Sequence, residues 1–138
     1  MPVVDASVAV DWVAPGVGAS APALRVLRRL VDQHAEILAP RLLLEEVSNA
    51  LLTGVRRRRW TGAAADQSHA LLLRLPVRLA DDERDLARAW DLARRFDNHP
   101  LYDMLYVAVA ERANTALITA DEVLRHRLWQ FSWILAPE

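Results

Sequence analysis

Five short apolar runs, none longer than five residues, punctuate a chain of 138 residues, and the segments between them carry helical spacing. The runs read as strands at Pro2–Asp5, Glu36–Ala39, Val77–Ala80, Ala116–Thr119 and Phe131–Leu135. Strands separated by helices run parallel, because a parallel connection has to cross back over the sheet. A parallel sheet in turn needs both faces covered. The expected fold is therefore α/β: a three-layer α/β/α sandwich with a central parallel sheet of short strands. A chain of this length holds one core, so a single domain over 1–138 is expected.

The helices follow from apolar spacing. One is expected from Ala21 to about His34, with Leu24, Leu27, Leu30 and Val31 on one stripe. Pro40 suits the first position of a second, which carries Leu43, Val47, Ala50 and Leu51 towards the arginines at Arg56 to Arg59. Thr61 can cap a helix reaching Leu75. Asp81 or Asp82 can cap another, with Leu86, Ala89, Trp90, Ala93 and Phe96 facing inwards. Tyr102–Ala113 is apolar nearly all round and should be buried, and Glu122 to about Leu128 forms a short last helix.

Composition narrows the chemistry. All 17 basic residues are arginine, with no lysine and no cysteine. Thiol nucleophiles, thiolate zinc sites, disulfides, Schiff bases and phosphate-binding lysines are all excluded. The formal net charge of -1 gives no global attraction to nucleic acid, so any such contact has to be local. No apolar run is long enough to cross a membrane. The first residues, Met1-Pro2-Val3-Val4-Asp5, lack the basic start of a signal peptide, so a soluble cytoplasmic protein is expected.

Acids inside apolar segments carry the most information, because burying an unpaired carboxylate is costly. Asp5 ends the first strand, Glu46 lies within a helix, Asp103 opens the most apolar helix, and Asp121 follows the fourth strand. Each has a structural reading by itself. Asp5 and Asp121 can cap helices, Asp103 can sit favourably in a first turn, and Glu46 can be solvated. Glu45 beside Glu46 leaves the face ambiguous by one residue. Together they suggest more. Ligands of open parallel sheets bind beyond the carboxyl ends of strands, where Asp5 and Asp121 are expected. Four clustered carboxylates repel one another unless a cation joins them, and hard oxygen ligands suit Mg²⁺ or Mn²⁺. Metal-assisted hydrolysis of a phosphodiester is the chemistry that follows.

These segments resemble PIN domains, and specifically the VapC ribonuclease toxins of prokaryotic toxin–antitoxin pairs. The resemblance rests on Val4-Asp5-Ala6-Ser7, on Ala39-Pro40 followed by Glu46-Val47-Ser48-Asn49, on Tyr102-Asp103-Met104-Leu105-Tyr106-Val107-Ala108-Val109-Ala110, and on Leu117-Ile118-Thr119-Ala120-Asp121. It covers essentially the whole chain. It implies a PIN-like fold in which Asp5, Glu46, Asp103 and Asp121 meet in one acidic pocket and hold Mg²⁺ or Mn²⁺. Asp5 and Asp103 match the family's most constant metal ligands, Asp121 a third acid on the metal, and Glu46, followed by Val47-x-Asn49, the helix acid. Ser7, Asn49 and Thr119 match positions that hold water or orient those carboxylates. The resemblance further implies an endoribonuclease acting as a toxin, a homodimer, an RNA substrate and a VapB-type antitoxin partner. The alternatives are a PIN-type RNA-processing nuclease outside a toxin pair and a non-catalytic module of the same fold that binds RNA or protein.

The run Arg56-Arg57-Arg58-Arg59-Trp60 has two readings: a solvated helix end, or a contact for RNA phosphates with Trp60 adjacent. Asp11 reads as exposed. His34, His69 and His126 read as surface residues and His99 as a loop residue near the acids. Trp12, Trp90, Trp129 and Trp133 read as core or interface residues.

Overall fold

Val3 and Val4 are fully buried and form β1 (Val3–Val4), the middle strand of a five-stranded sheet. The computed structural model describes all 138 residues. The other strands are β2 (Ile37–Pro40), β3 (Val77–Ala80), β4 (Leu117–Ile118) and β5 (Ile134–Leu135), in the spatial order β3-β2-β1-β4-β5. Every pairing is parallel, with Val3 opposite Leu38 on one side and Leu117 on the other. The chain moves outwards from β1 through β2 to β3, then returns to lay β4 on the far side of β1. The strand order therefore reverses between β1 and β4, and in open parallel sheets ligands bind beyond the carboxyl ends of the strands at such a point.

The helices are α1 (Ala6–Val13), α2 (Pro22–Asp32), α3 (Leu42–Arg56), α4 (Gly62–Leu72), α5 (Glu83–Arg95), α6 (Leu101–Arg112) and α7 (Glu122–Arg127). The first four pack among themselves through α1, and α5 packs on α6. Parallel crossovers are right-handed as a rule, which with this strand order places the two groups on opposite faces of the sheet and gives the expected three layers. The core is one cluster of 30 buried residues drawn from both groups and the sheet. Within it α6 is buried almost all round, from Met104 to Ala110, as its sequence demands.

Three local expectations change. Ala6–Val13, to which no element was assigned, forms a helix although three valines in eight residues weaken helix propensity. Burial of Val8, Ala9, Trp12 and Val13 outweighs that deficit, the Asp5 side chain caps the helix, and the Trp12 indole donates to the Ala23 carbonyl at 2.7 Å. Pro40 does not open α3. It is the last residue of β2, opposite Ala80, and α3 begins at Leu42. On α5 the buried arc is rotated, so Leu86 and Trp90 point outwards, with Trp90 61% exposed.

The rotation of α5 has an electrostatic partner. Asp85 is 5% exposed and accepts two hydrogen bonds from the Arg112 guanidinium of α6, at 2.7 and 2.9 Å. The small residues Ala89 and Ala93 face α6 with it, which lets the two helices approach closely. A second pair, Arg88 to Glu111 at 2.7 and 3.0 Å, ties the same helices nearer to solvent. Truncating Arg112 leaves a buried carboxylate without its cation. Arg112→Ala should cost about 3 kcal/mol in urea unfolding, whereas Asp85→Leu with Arg112→Met should cost much less. Equal losses in the two variants would show that packing, and not the unpaired charge, sets the cost.

Candidate active site

Asp5 follows β1 directly and is 6% exposed. Its Oδ1 accepts from the Ser7 backbone N–H at 3.1 Å and from the Ser7 hydroxyl at 2.5 Å, so the strand end and the start of α1 hold it rigidly. The Ser7 hydroxyl oxygen also accepts from the Ala120 N–H at 2.9 Å. That bond ties the end of β1 to the loop after β4 across the strand-order reversal. Thr119, fully buried, lies 3.4 Å from the Ser7 hydroxyl and accepts from the Asp121 N–H at 3.0 Å. Asp121 caps α7 by accepting from the Leu124 N–H at 3.1 Å, so its structural role is real and one carboxylate oxygen is committed to it.

Glu46 projects from the second turn of α3, half-buried, and the Tyr106 hydroxyl donates to its Oε1 at 2.6 Å. This bond joins α3 to α6. Burial, the bond to Glu46 and the nearby charges of Glu46, Asp5 and Asp103 all push the Tyr106 phenol far above its ordinary range, so it remains a donor. Glu45, the neighbouring candidate, is exposed and lies 3.9 Å from Arg41, which resolves the one-residue ambiguity of the helix face. Asn49 is exposed and shares a shallow cleft with Glu45, Ser48 and His69.

Asp103 sits in the first turn of α6, and its Oδ2 lies 2.6 Å from His99 Nε2. His99 is 6% exposed, and its other ring nitrogen, Nδ1, lies 2.9 Å from the Arg127 guanidinium at the end of α7. His99, expected as a loop residue near the acids, contacts one of them directly, and Tyr106, expected only as part of a buried helix, bonds another. His99 precedes α6 and Tyr106 bonds an acid 60 residues away, so spacing along the chain signals neither contact.

The electrostatics join three of the four acids. Burial pushes the Asp5 carboxyl up, and the Asp103 charge adds to this against the opposing hydrogen bond from Ser7. Burial likewise raises Glu46, which feels both Asp103 and Asp5 while the Tyr106 hydrogen bond pulls the other way. The arginine ion pairs of the molecule go elsewhere, to Glu45, Glu36, Asp82, Glu111 and Asp85. Asp5 and Glu46 are held by neutral donors, so the excess negative charge is uncompensated. The donor set therefore fits a hard divalent cation, although no three of these side chains converge on one point as they stand.

The arginine run lies apart from these acids. Arg56 ends α3 ten residues after Glu46, about 15 Å along the helix axis. Arg56, Arg57, Arg58 and Arg59 are all exposed, and Arg58 takes a left-handed backbone with φ 59°. Trp60 does not stand beside them as a stacking platform. Its indole donates to the Leu51 carbonyl at 3.0 Å and lies on Gly54, where a Cβ would fall 2.1 Å from the ring. Asp11, expected to be exposed, is half-buried, and burial raises its carboxyl.

Fold and site together define an α/β protein with neighbouring carboxylates at the strand-order reversal. The PIN domain model matches residues 3–127, and the chain belongs to that family. Among solved structures it is similar to VapC20 of Mycobacterium tuberculosis, described as a sarcin–ricin loop cleaving toxin. The TM-score is 0.69 at 18% identity, with 100% of each chain covered. No curated protein sequence matches the chain.

Raised carboxylates have a stability signature. In the folded chain Asp5 and Glu46 favour their protonated forms relative to ordinary values of 3.8 and 4.5. That contribution is fully present below about pH 4 and is lost as pH rises through the raised folded values. Asp5→Asn keeps an oxygen for the Ser7 cap and removes one charge. Its metal-free melting temperature should match the parent's below pH 4 and exceed it by roughly a few degrees at pH 7. A constant difference across that range would refute the burial argument.

Proposed function

We propose that this chain is a metal-dependent endoribonuclease that acts in the cytoplasm as the toxin of a type II toxin–antitoxin pair. The observation that carries the reading is that Asp5 and Glu46, both shielded from solvent beyond β1, lie close enough to Asp103 for its charge to act on each of them, with no arginine ion-paired to any of the three. Likeness in fold to VapC20, together with the family motifs, supports the choice of RNA over other phosphodiesters.

Asp5, Asp103 and Asp121 would hold Mg²⁺ or Mn²⁺, with Glu46 completing the set. When bound, the cation supplies Lewis acidity and a more acidic water. The chain's own residues do the positioning. Ser7 fixes Asp5 to the loop that carries Asp121, Thr119 fixes the backbone of Asp121, and Tyr106 orients Glu46. The unpaired carboxylates keep the site poor in cations of the protein's own, which leaves room for a metal and repels misplaced phosphate. Asn49, exposed beside Glu45, lies on the solvent side of α3 and does not hold Glu46, whose partner is Tyr106.

Arg56 to Arg59 would contact the RNA backbone away from the point of cleavage. A VapB-type antitoxin would neutralise the acids with a basic side chain of its own. Exposed Leu86 and Trp90 on α5 supply apolar area suited to an antitoxin or to a second copy in a homodimer. No helix of the chain is long and apolar enough to cross a membrane.

Cleavage of RNA oligonucleotides in Mg²⁺ or Mn²⁺, a sarcin–ricin loop among them, tests the reading. Asp5→Asn and Asp103→Asn should each lose activity by on the order of 10³-fold while remaining folded. Cutting at the parent rate by both variants would sink the proposal. Neutralising two arginines of the run should lower the slope of log affinity against log salt by roughly 1–2. An unchanged slope would return the run to a solvated helix end.

A further inference from the structure

His99 is held at both ring nitrogens by different helices. Arg127, the last residue of α7, reaches Nδ1 at 2.9 Å, and Asp103 of α6 meets Nε2 at 2.6 Å. A guanidinium can only donate, so Nδ1 has to accept. The ring proton then stands on Nε2 and donates to Asp103 Oδ2. Two neighbouring residues show how tightly this is arranged. Asp97 and Asn98 both take left-handed backbones, at φ 59° and 56°, which turns His99 inwards, and Arg94 donates to the Asn98 side-chain oxygen at 2.6 Å. Burying an imidazole this way has no packing reward that an apolar residue would not give more cheaply.

We propose that His99 is a positioning residue for the acidic site, locked as its Nε2–H tautomer by Arg127 so that it fixes one oxygen of Asp103 and leaves the other free for a cation. The inference rests on the reading of Asp103 as a cation ligand. A neutral donor suits that role better than a cation would. It restrains the carboxylate and satisfies one oxygen without cancelling the charge that a divalent ion needs. Arg127 contributes its charge at one remove, by polarising the ring and strengthening the Nε2–H donor. The arrangement also couples two acids through one short helix. Asp121 caps the start of α7, and Arg127 at its end sets the proton on the ring that holds Asp103.

Two side chains separate the donor positions of the ring. Glutamine carries its amide nitrogen as many bonds from Cβ as Nε2, and asparagine carries its own where Nδ1 stands. His99→Gln can therefore still donate to Asp103, whereas His99→Asn directs its reach towards Arg127. The test uses the full chain with Mn²⁺ as the probe, read by calorimetry, together with long-range ¹⁵N–¹H spectra of the metal-free protein. The ¹⁵N spectra of the parent should show one histidine as a neutral Nε2–H tautomer, absent in His99→Gln and tautomerically mixed in Arg127→Met. Mn²⁺ affinity should fall about 10–100-fold in His99→Asn and stay within about threefold of the parent in His99→Gln. A parent ring carrying its proton on Nδ1 overturns the proposal whatever the variants do. Equal Mn²⁺ affinities for His99→Asn and His99→Gln, with Asp103→Asn unable to bind, overturn the positioning role alone. Parental Mn²⁺ affinity in Asp103→Asn overturns the ligand reading beneath it.

Discussion

A carboxylate buried at the end of the central strand governs the rest of this structure. Asp5 is covered because β1 is sheathed on both faces, and burial, with the nearby Asp103 charge, raises its carboxyl. An isolated buried carboxylate of this kind would be expelled or neutralised. Here it is retained by being built into the backbone, as the cap of α1 and as a partner of Ser7, whose hydroxyl is itself pinned by the loop after β4. The strand order reverses beside it. The same chain path that makes the sheet possible thus places an uncompensated negative charge at its lip.

The acids are secured in two ways, and the difference separates function from stability. Asp85 is buried against a bidentate arginine and holds α5 to α6. Asp5, Glu46 and Asp103 are held by a hydroxyl, a phenol and an imidazole, none of which cancels the carboxylate charge. An arginine at any of those positions would neutralise the carboxylate and compete with a divalent cation for the same oxygens. Stability is surrendered at the acidic site and recovered in the core and across the α5–α6 interface.

Some of this was legible in the amino-acid order and some was not. Five apolar runs and the helical spacing between them were enough for the parallel sheet and its two helical layers, because hydrophobic period is local. The acids stood out because each interrupts an apolar segment. The helix at Ala6–Val13 was hidden, since its valines argue against a helix and only burial of Trp12 and its neighbours reverses that. The rotated face of α5 was hidden as well. Asp85 looks like an ordinary first-turn acid until Arg112, 27 residues later, is placed against it.

Taken alone, the sequence determined the fold class, the place of each strand and most helices, and singled out the acids as candidates, all of which rest on residue type and short-range spacing. Tertiary structure decided which groups hold those acids. Tyr106 reaches Glu46 across 60 positions, Ser7 meets the Ala120 amide across 113, and Arg127 sets the tautomer of His99 from 28 residues away. Hydrogen bonds between distant elements depend on how helices and strands are stacked, and no local pattern encodes that geometry. The chain order therefore says where the charge is, and the packed fold says why it stays uncompensated.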